Sequence, residues 1–131
     1  MKLLLDTQIW IWAENHPEKL SRSVQRHLAN PNNELYLSPI SIWEASLLER
    51  RGRLRARKGF SQWLDEALTR TPIREAPLTF AVGAEAAAIE LPQPDPGDLF
   101  LAATARVFGL TLVTTDTQLL ACPWLKTLAN D

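Results

Sequence analysis

The sequence predicts an α/β domain with a short, mainly parallel central sheet, and three observations support this prediction. Short apolar runs alternate along the chain with longer stretches of helical character. Such an alternation is typical of a parallel sheet with helices on both of its faces. Prolines and glycines stand singly between these stretches, where elements should begin or end. The length of 131 residues suits one compact domain, which we assign to residues 1–131.

Hydrophobic periodicity and turn residues assign the individual elements. The predicted strands are residues 2–5, 34–37, 73–74, 110–114 and 124–128. The predicted helices are residues 7–13, 22–28, 39–50, 60–69, 80–89 and 96–108, with a further short helix after residue 116. Ser38 and Pro39 have the residue types of an N-cap and a first helical position, and Gly109 is typical of the residue that ends a helix.

Composition excludes several classes of protein. The chain is 46% hydrophobic and 22% charged, which is typical of a globular protein rather than a disordered one. The single cysteine, Cys122, excludes a disulfide framework and any zinc site that needs a cysteine pair. The apolar run at the N-terminus is too short for a signal peptide, and no stretch is long enough to span a bilayer. We therefore expect a cytoplasmic protein without membrane contact.

Four carboxylates are expected to converge on one edge of the sheet. Asp6 and Asp116 each follow an apolar strand directly, and Asp98 lies at the start of a helix that should begin at the same edge. Glu44 lies in the second turn of the helix that follows the second strand. Ligands of parallel α/β sheets bind at the carboxyl ends of the strands, so this edge is the candidate functional site.

Such a cluster of acids predicts a bound divalent cation. Four close carboxylates repel one another and raise one another's pKa values, and a cation removes this repulsion. Oxygen ligands select Mg²⁺ or Mn²⁺ over metals that prefer softer ligands. One or two such ions can activate water and stabilise a phosphate during in-line displacement, so the expected reaction is phosphodiester hydrolysis.

Three of these acids also have a structural interpretation. Asp6 and Asp116 could serve only as helix N-caps, which contribute about 1 kcal/mol each. Asp98 lies three residues after Asp95, which has the position of an N-cap. The two roles are compatible there, since Asp95 can cap the helix while Asp98 projects into the site.

Glu44 shares its helical face with apolar residues. Ile40, Leu47 and Leu48 lie three or four positions away from it, so they occupy the same side of the helix. A carboxylate among apolar side chains is costly unless it is paired or bound to a metal ion. The alternative to a site role is an ion pair with Arg51, one further turn along the helix.

Four segments of the chain contain the candidate acids. They are Leu3-Leu4-Leu5-Asp6-Thr7 followed by Trp12, Ser41-Ile42-Trp43-Glu44-Ala45 followed by Gly52-Arg53-Leu54, Asp95-Pro96-Gly97-Asp98 followed by Leu101-Ala102-Ala103-Thr104-Ala105, and Gly109-Leu110-Thr111-Leu112-Val113-Thr114-Thr115-Asp116. In this order, and over nearly the whole chain, they resemble the acidic blocks of PIN-domain ribonucleases. The resemblance is strongest to the VapC-type toxins of toxin–antitoxin pairs.

This resemblance implies a three-layer α/β/α fold, a Mg²⁺- or Mn²⁺-dependent endoribonuclease activity, and a homodimer. It also implies a cognate antitoxin protein that blocks the site. The metal-binding or catalytic residues would be Asp6, Glu44, Asp98 and Asp116. The hydroxyl groups of Thr7 or Thr114 would orient them.

Two positions depart from the family's usual pattern. Gly97 stands where an aromatic residue is usual, and Leu99 stands where an arginine is usual. The second departure removes a cation from the neighbourhood of the acids, so it affects the placement of the substrate rather than the metal ligands.

A run of basic residues follows Glu49. The run comprises Arg50, Arg51, Arg53, Arg55, Arg57 and Lys58 and contains no acid, although the net charge of the chain is −1. One interpretation is that Arg51, Arg53, Arg55 and Arg57 bind RNA phosphates, since an arginine can hold a phosphate through two hydrogen bonds. The alternatives are a solvated helix end or contact with an acidic antitoxin.

Tryptophan is frequent for a chain of this length. The five residues are Trp10, Trp12, Trp43, Trp63 and Trp124. Base stacking is possible, although packing in the core or at an interface is the usual role of such side chains. Trp10 and Trp12 should face different directions on one helix, so one of them is expected at a partner surface.

The sequence also allows a function without catalysis. A PIN-like module could use its acids to bind metal or to cap helices and act by binding RNA or a protein. Metal-dependent turnover distinguishes this alternative from the predicted ribonuclease.

Overall fold

The fold is described from a computed structural model, which covers residues 1–93 and 95–131. The strands are β1 (Lys2–Leu5), β2 (Glu34–Leu37), β3 (Arg74–Glu75), β4 (Thr111–Thr114) and β5 (Thr127–Ala129). The helices are α1 (Thr7–Asn15), α2 (Arg22–Ala29), α3 (Pro39–Arg50), α4 (Phe60–Arg70), α5 (Phe80–Ala88), α6 (Pro96–Phe108) and α7 (Thr117–Leu120). A short 3₁₀ helix, Pro17–Lys19, lies between α1 and α2 and was not predicted.

The five strands form one sheet in the order β3-β2-β1-β4-β5, and every neighbouring pair is parallel. Strand β1 is therefore central, and Leu4 on it lies opposite Tyr36 of β2 and Leu112 of β4. Leu3 and Leu4 are fully buried, as expected of a strand that is covered on both faces. The predicted α/β class and the parallel sheet are confirmed.

Successive residues of β1 enter two separate cores, because side chains alternate between the faces of a strand. Leu3 and Leu5 pack in a cluster with residues of α1, α2 and α4, including Trp10 and Trp63. Leu4 packs on the other face, in a cluster with residues of α6 and α7. Helices thus cover both faces of the sheet, and the predicted three-layer α/β/α arrangement is confirmed.

The ends of several helices follow local sequence signals. Ser38 is fully buried, and its hydroxyl accepts a hydrogen bond from Ile40 N at 3.1 Å, so it caps α3 as predicted. Gly109 has a φ of +66° and ends α6, in the left-handed conformation that glycine adopts without strain. No helix in residues 1–93 or 95–131 combines the length and the apolar character needed to cross a membrane.

The last strand differs most from its predicted bounds. The predicted strand began at Trp124, whereas β5 begins at Thr127. The reason is a turn after α7, in which Leu125 N donates to Cys122 O at 3.2 Å. Only after this turn does the chain pair with the sheet, where Leu112 N donates to Lys126 O at 2.9 Å.

Candidate active site

The ends of β1 and β4 place Asp6 and Thr114 side by side. Leu5 lies opposite Val113 in parallel register, so the residues that follow leave the sheet at the same edge. The Thr114 hydroxyl donates to Asp6 Oδ2 at 2.5 Å and accepts a hydrogen bond from Asp116 N at 3.0 Å. Thr114 is fully buried. One hydroxyl group therefore fixes the carboxylate of Asp6 and the backbone at Asp116 relative to each other.

Asp6 and Asp116 are both helix N-caps and cavity residues. Asp6 Oδ1 accepts from Ile9 N at 2.8 Å, and Asp116 Oδ1 accepts from Leu119 N at 3.0 Å. These bonds cap α1 and α7. The capping interpretation is thus confirmed for both residues, and it does not exclude a site role, because a carboxylate oxygen that accepts one hydrogen bond keeps a further lone pair.

Glu44 reaches the same edge from α3. The Thr7 hydroxyl donates to Glu44 Oε1 at 2.5 Å and also lies 2.9 Å from the hydroxyl oxygen of buried Ser41. The alternative ion pair between Glu44 and Arg51 is not found within 4 Å among the residues that the structure covers. A hydroxyl group, rather than a cation, holds this carboxylate.

Asp98 is positioned by the first turn of α6. Asp95 Oδ1 accepts from Gly97 N at 2.8 Å and from Asp98 N at 3.3 Å, which caps the helix as predicted. Gly97 is buried directly against the carboxylate of Glu44, and a Cβ at this position would collide with Glu44 Oε2. A larger residue at position 97 would therefore require the end of the Glu44 side chain to shift from its present position against α6.

One cavity of about 600 Å³ contains all four predicted acids. Its lining includes Asp6, Glu44, Asp98 and Asp116, together with Asp95, Thr7, Trp43 and Arg51. A second open cavity, of about 880 Å³, shares Asp95, Asp98 and Asp116 with the first and extends towards Trp124. We call the first space the acid cavity.

Asp95 is a cavity residue that the sequence interpretation did not include in the site. Its spacing is explained by capping alone, and no sequence signal distinguishes a capping residue that faces only solvent from one whose charge acts on Glu44 and Asp98. The contact of Ser41 with Thr7 was also not predicted, because a serine inside a helix carries no functional signal by itself.

Burial and mutual repulsion raise the pKa values of three acids. Burial raises the pKa of Asp6, against the opposing effect of its hydrogen bonds from Thr114 and the backbone. Burial also raises the pKa of Glu44, against the hydrogen bond from Thr7. For Asp98, burial and the surrounding carboxylates, Asp116 foremost, raise the pKa to about 7. The ionised form of Asp98 thus lacks a compensating positive charge.

The donor chemistry of the acid cavity fits a hard divalent cation. All the candidate ligands are carboxylates, and the raised pKa of Asp98 is the electrostatic effect that a nearby cation would reverse. In residues 1–93 and 95–131, no three acidic, histidine or cysteine side chains are arranged so that they could already hold one metal ion together. Completing a ligand set would therefore require side-chain rotation, which is possible for Asp98 and Glu44 because both are only half-buried.

The basic run is divided between two places. Arg51 lines the acid cavity, whereas Arg55, Arg57 and Lys58 line a different cavity of about 480 Å³, beside the end of α1. The loop that holds the second group is anchored by Leu54, which is 4% exposed, and by the Asn15 side chain, which donates to Arg55 O at 3.3 Å. Arg53 is exposed and lines neither cavity.

The tryptophans have different environments. Trp10 and Trp63 are core residues, with ring centroids 5.1 Å apart. Trp12 is partly buried, and Lys19 Nζ lies 5.7 Å from its ring centroid. Trp43 is 60% exposed and Trp124 is 37% exposed, and each lines a cavity that contains the acids.

Comparison with known protein families identifies this arrangement. Residues 3–124 match the PIN domain family. The chain belongs to the PIN domain family. PIN domains are generally nucleases, so family membership agrees with the acid cavity and with the expected hydrolysis of phosphodiesters. No curated protein gives a significant sequence match to the chain.

Solved structures resemble this PIN domain over its whole length. A chain of VapBC2 from Rickettsia felis, bound to a DNA fragment from its promoter, matches with a TM-score of 0.73 and 22% identity, covering 100% of both chains. A chain of DNA-bound VapBC from Salmonella typhimurium matches with a TM-score of 0.72 and 20% identity, covering 98% of both. FitAcB from Neisseria gonorrhoeae matches with a TM-score of 0.63 and 24% identity, covering 96% of both. At these identities the likeness establishes the fold.

Replacing Asp98 by Asn is expected to stabilise the metal-free protein at pH 8 and to have little effect near pH 4. The pKa of Asp98 is higher in the folded state than in the unfolded chain. Its contribution to stability is therefore fully present below about pH 4 and is lost as the pH rises through about 7. Because Asp98 is only half-buried, the expected gain is discounted for solvent screening to roughly 1 kcal/mol.

Thermal unfolding in EDTA at pH 4 and pH 8 measures this difference. Asp65→Asn, at an exposed position on α4, is the matched control and should change stability equally at both pH values. A gain for Asp98→Asn that does not depend on pH would contradict the repulsion argument.

Proposed function

We propose that the chain is a metal-dependent endoribonuclease that hydrolyses RNA phosphodiester bonds. The observation that carries the proposal is a single cavity with four carboxylates from four separate segments, in a chain of the PIN domain family. In metal-dependent nucleases such a cluster holds a cation. The cation lies between the carboxylates and the phosphate group, which would otherwise repel one another.

The metal ligands in this proposal are Asp6, Glu44, Asp98 and Asp116, and the cation is Mg²⁺ or Mn²⁺. When bound, the cation supplies activated water and charge neutralisation for an in-line attack on phosphorus. The carboxylates of the acid cavity favour a hard cation, and no histidine or cysteine of residues 1–93 and 95–131 contributes to its lining.

The chain's own hydroxyl groups prepare these ligands. Thr114 donates to Asp6 and Thr7 donates to Glu44, so each hydrogen bond favours the ionised carboxylate, which is the form that binds a cation. Because the pKa of Asp98 is about 7, this carboxyl group is only partly ionised at neutral pH, and a nearby positive charge would favour its ionised form. Cation binding should therefore release protons and weaken as the pH falls below 7.

The four arginines of the basic run are proposed to bind RNA phosphates. Arg51 contributes from the wall of the acid cavity, and Arg55 and Arg57 contribute from the separate basic cavity. Arg53 is exposed and lines neither cavity. None of the four lies within 4 Å of an acidic oxygen among residues 1–93 and 95–131, so their charge is not already neutralised there. The same surface could instead contact an acidic antitoxin.

We further propose that the chain is the toxin of a toxin–antitoxin pair, with an antitoxin that blocks the acid cavity, and that it forms a homodimer. The support is the likeness in fold to chains of the VapBC complexes of Rickettsia felis and Salmonella typhimurium, together with the VapC-like sequence blocks. The activity would then be exerted in the cytoplasm, where its RNA substrates occur.

Replacing Asp6 by Asn should abolish metal-dependent cleavage of RNA, by at least about a hundredfold. Asparagine can still accept the hydrogen bond from Ile9 N, so the cap of α1 and the fold should survive. The assay is cleavage of a labelled RNA pool by the purified chain in Mg²⁺, in Mn²⁺ and in EDTA. Asp65→Asn is the charge-matched control and should cut normally. If folded wild-type protein cuts nothing in either metal, the non-catalytic binding module becomes the better explanation.

Expression of the chain alone should arrest bacterial growth, and Asp6→Asn should remove the arrest at the same protein level. The reason is that the proposed toxicity depends on cleavage and therefore on the acid cavity. Growth curves after induction, with immunoblots for protein level and Asp65→Asn as the control, measure the effect. An arrest that persists in Asp6→Asn would exclude cleavage as its cause.

Replacing Arg55 and Arg57 together by Ala should reduce the salt dependence of RNA binding. Each lost contact with a phosphate of single-stranded RNA changes the slope of log K against log salt by about 0.7, so two contacts account for a change of about 1.4. Binding is measured in the cleavage-deficient Asp6→Asn background over a range of salt. The double variant Arg22→Ala and Arg26→Ala removes the same charge from exposed positions on α2 and should leave the slope nearly unchanged. Equal slopes for both double variants would contradict RNA contact by the basic cavity.

A further inference from the structure

Trp43 has an exposure that packing does not explain. It is 60% exposed, although a tryptophan side chain carries one of the largest apolar surfaces of any residue. It precedes Glu44 on α3, and its ring contributes to the wall of the acid cavity. A large aromatic ring is thus held in solvent beside the carboxylates that are proposed to bind the metal.

The ring of Trp43 also has no stacking partner among residues 1–93 and 95–131. The other exposed tryptophan, Trp124, has the guanidinium group of Arg106 at 5.1 Å from its ring centroid. Trp63 stacks on Phe60 at 5.7 Å and meets Trp10 edge-on. Trp43 makes no such contact in the part of the chain that the structure covers. In the part of the chain that the structure covers, neither an aromatic ring nor a cation occupies a face of Trp43.

An arginine side chain also lines the acid cavity. Arg51 is exposed, lines the acid cavity two turns after Trp43, and has no acidic oxygen within 4 Å in the covered residues. Arg70, Arg74 and Arg106, by contrast, each pair with a glutamate. An unpaired guanidinium group and an exposed aromatic ring that line the same cavity match the two parts of a nucleotide, its phosphate and its base.

We propose that Trp43 is a substrate-positioning residue that stacks on an unpaired nucleobase next to the scissile phosphate, while Arg51 holds a neighbouring phosphate. The inference rests on the proposed ribonuclease function and specifies its substrate. A base inside an A-form duplex is already stacked on both faces, so only a single-stranded or looped nucleotide can offer its face to Trp43. The acid cavity thus selects unpaired RNA.

The experiment is a double-mutant cycle between the protein and the RNA. An abasic nucleotide is introduced in turn at each position of a single-stranded oligonucleotide, and the cleavage site is mapped on the same oligonucleotide if the wild type cuts it. The protein variants are Trp43→Ala, Trp43→Phe, which keeps an aromatic face, and Trp43→Leu, which keeps apolar bulk only. Phe80→Ala removes a fully exposed aromatic ring that does not line the acid cavity, and it is the matched control.

Trp43→Ala should raise KM for intact RNA between about fivefold and a hundredfold, the range that the loss of one stacked base gives, with a smaller change in kcat. At one abasic position the wild type should lose the same factor, and Trp43→Ala should lose nothing more, because the interaction is already absent. Trp43→Phe should retain most of the affinity and Trp43→Leu should not. Phe80→Ala should behave as the wild type.

Three results would overturn the proposal. If the fold-loss in affinity caused by Trp43→Ala multiplies with the fold-loss at every abasic position, the two changes are independent and the ring contacts no base. Equal recovery by Trp43→Leu and Trp43→Phe would show that the residue acts by apolar packing. A change of molecular mass in light scattering for Trp43→Ala, with RNA binding intact, would assign the ring to contact with a second copy of the chain.

Binding of the same RNAs in the Asp6→Asn background separates this proposal from the proposed catalysis. If the wild type does not cleave RNA but the cycle still shows coupling in binding, the stacking role survives and the nuclease assignment fails. If the wild type cleaves RNA and the cycle shows no coupling, the nuclease assignment survives and the stacking role fails.

Discussion

The geometry of the acid cavity depends on the parallel pairing of β1 with β4. This pairing brings Leu5 opposite Val113, so that Asp6 and Thr114 leave the sheet at one edge and a single hydroxyl hydrogen bond joins them. The two residues are 108 positions apart in the sequence. An antiparallel pairing would send the two following residues to opposite ends of the sheet. The site therefore forms only when the most distant parts of the chain have come together, and no local segment contains it.

Electrostatic repulsion in the cavity is limited by neutral hydrogen-bond donors. Asp6 accepts hydrogen bonds from Thr114 and from Ile9 N, and Glu44 accepts one from Thr7. Asp98 has no comparable side-chain donor, and its pKa is raised to about 7 by burial and by the surrounding acids. A compensating positive charge is therefore needed most at Asp98, on the wall that α6 contributes.

Much of the fold could be predicted because its signals are local. Apolar runs specified the inner strands, and Ser38 and Gly109 specified helix ends through their hydrogen-bonding and conformational preferences. The edge strand β5 was misplaced because its start is determined by a turn at Cys122 and by pairing with β4, neither of which its own composition encodes. The convergence of the four acids followed from the rule that the carboxyl ends of parallel strands meet at one edge of the sheet. By contrast, the separation of Arg51 from Arg55 depends on how the loop after α3 folds back onto α1, which the charge pattern does not reveal. The exposure of Trp43 depends on which side of α3 the rest of the domain covers, and a tryptophan in a helix does not indicate that side.

Asp6 and Asp116 are both cavity residues and helix caps, and this affects how the folded protein responds to the supply of metal ions. Each carboxylate already satisfies the backbone of the helix that follows it, so the fold is not organised around an ion. Domains that fold only when a metal arrives lose their structure whenever the metal becomes scarce. Under the proposed metal-dependent function, a shortage of divalent cations would leave folded but inactive molecules, and restoring the cations would restore activity without new protein synthesis.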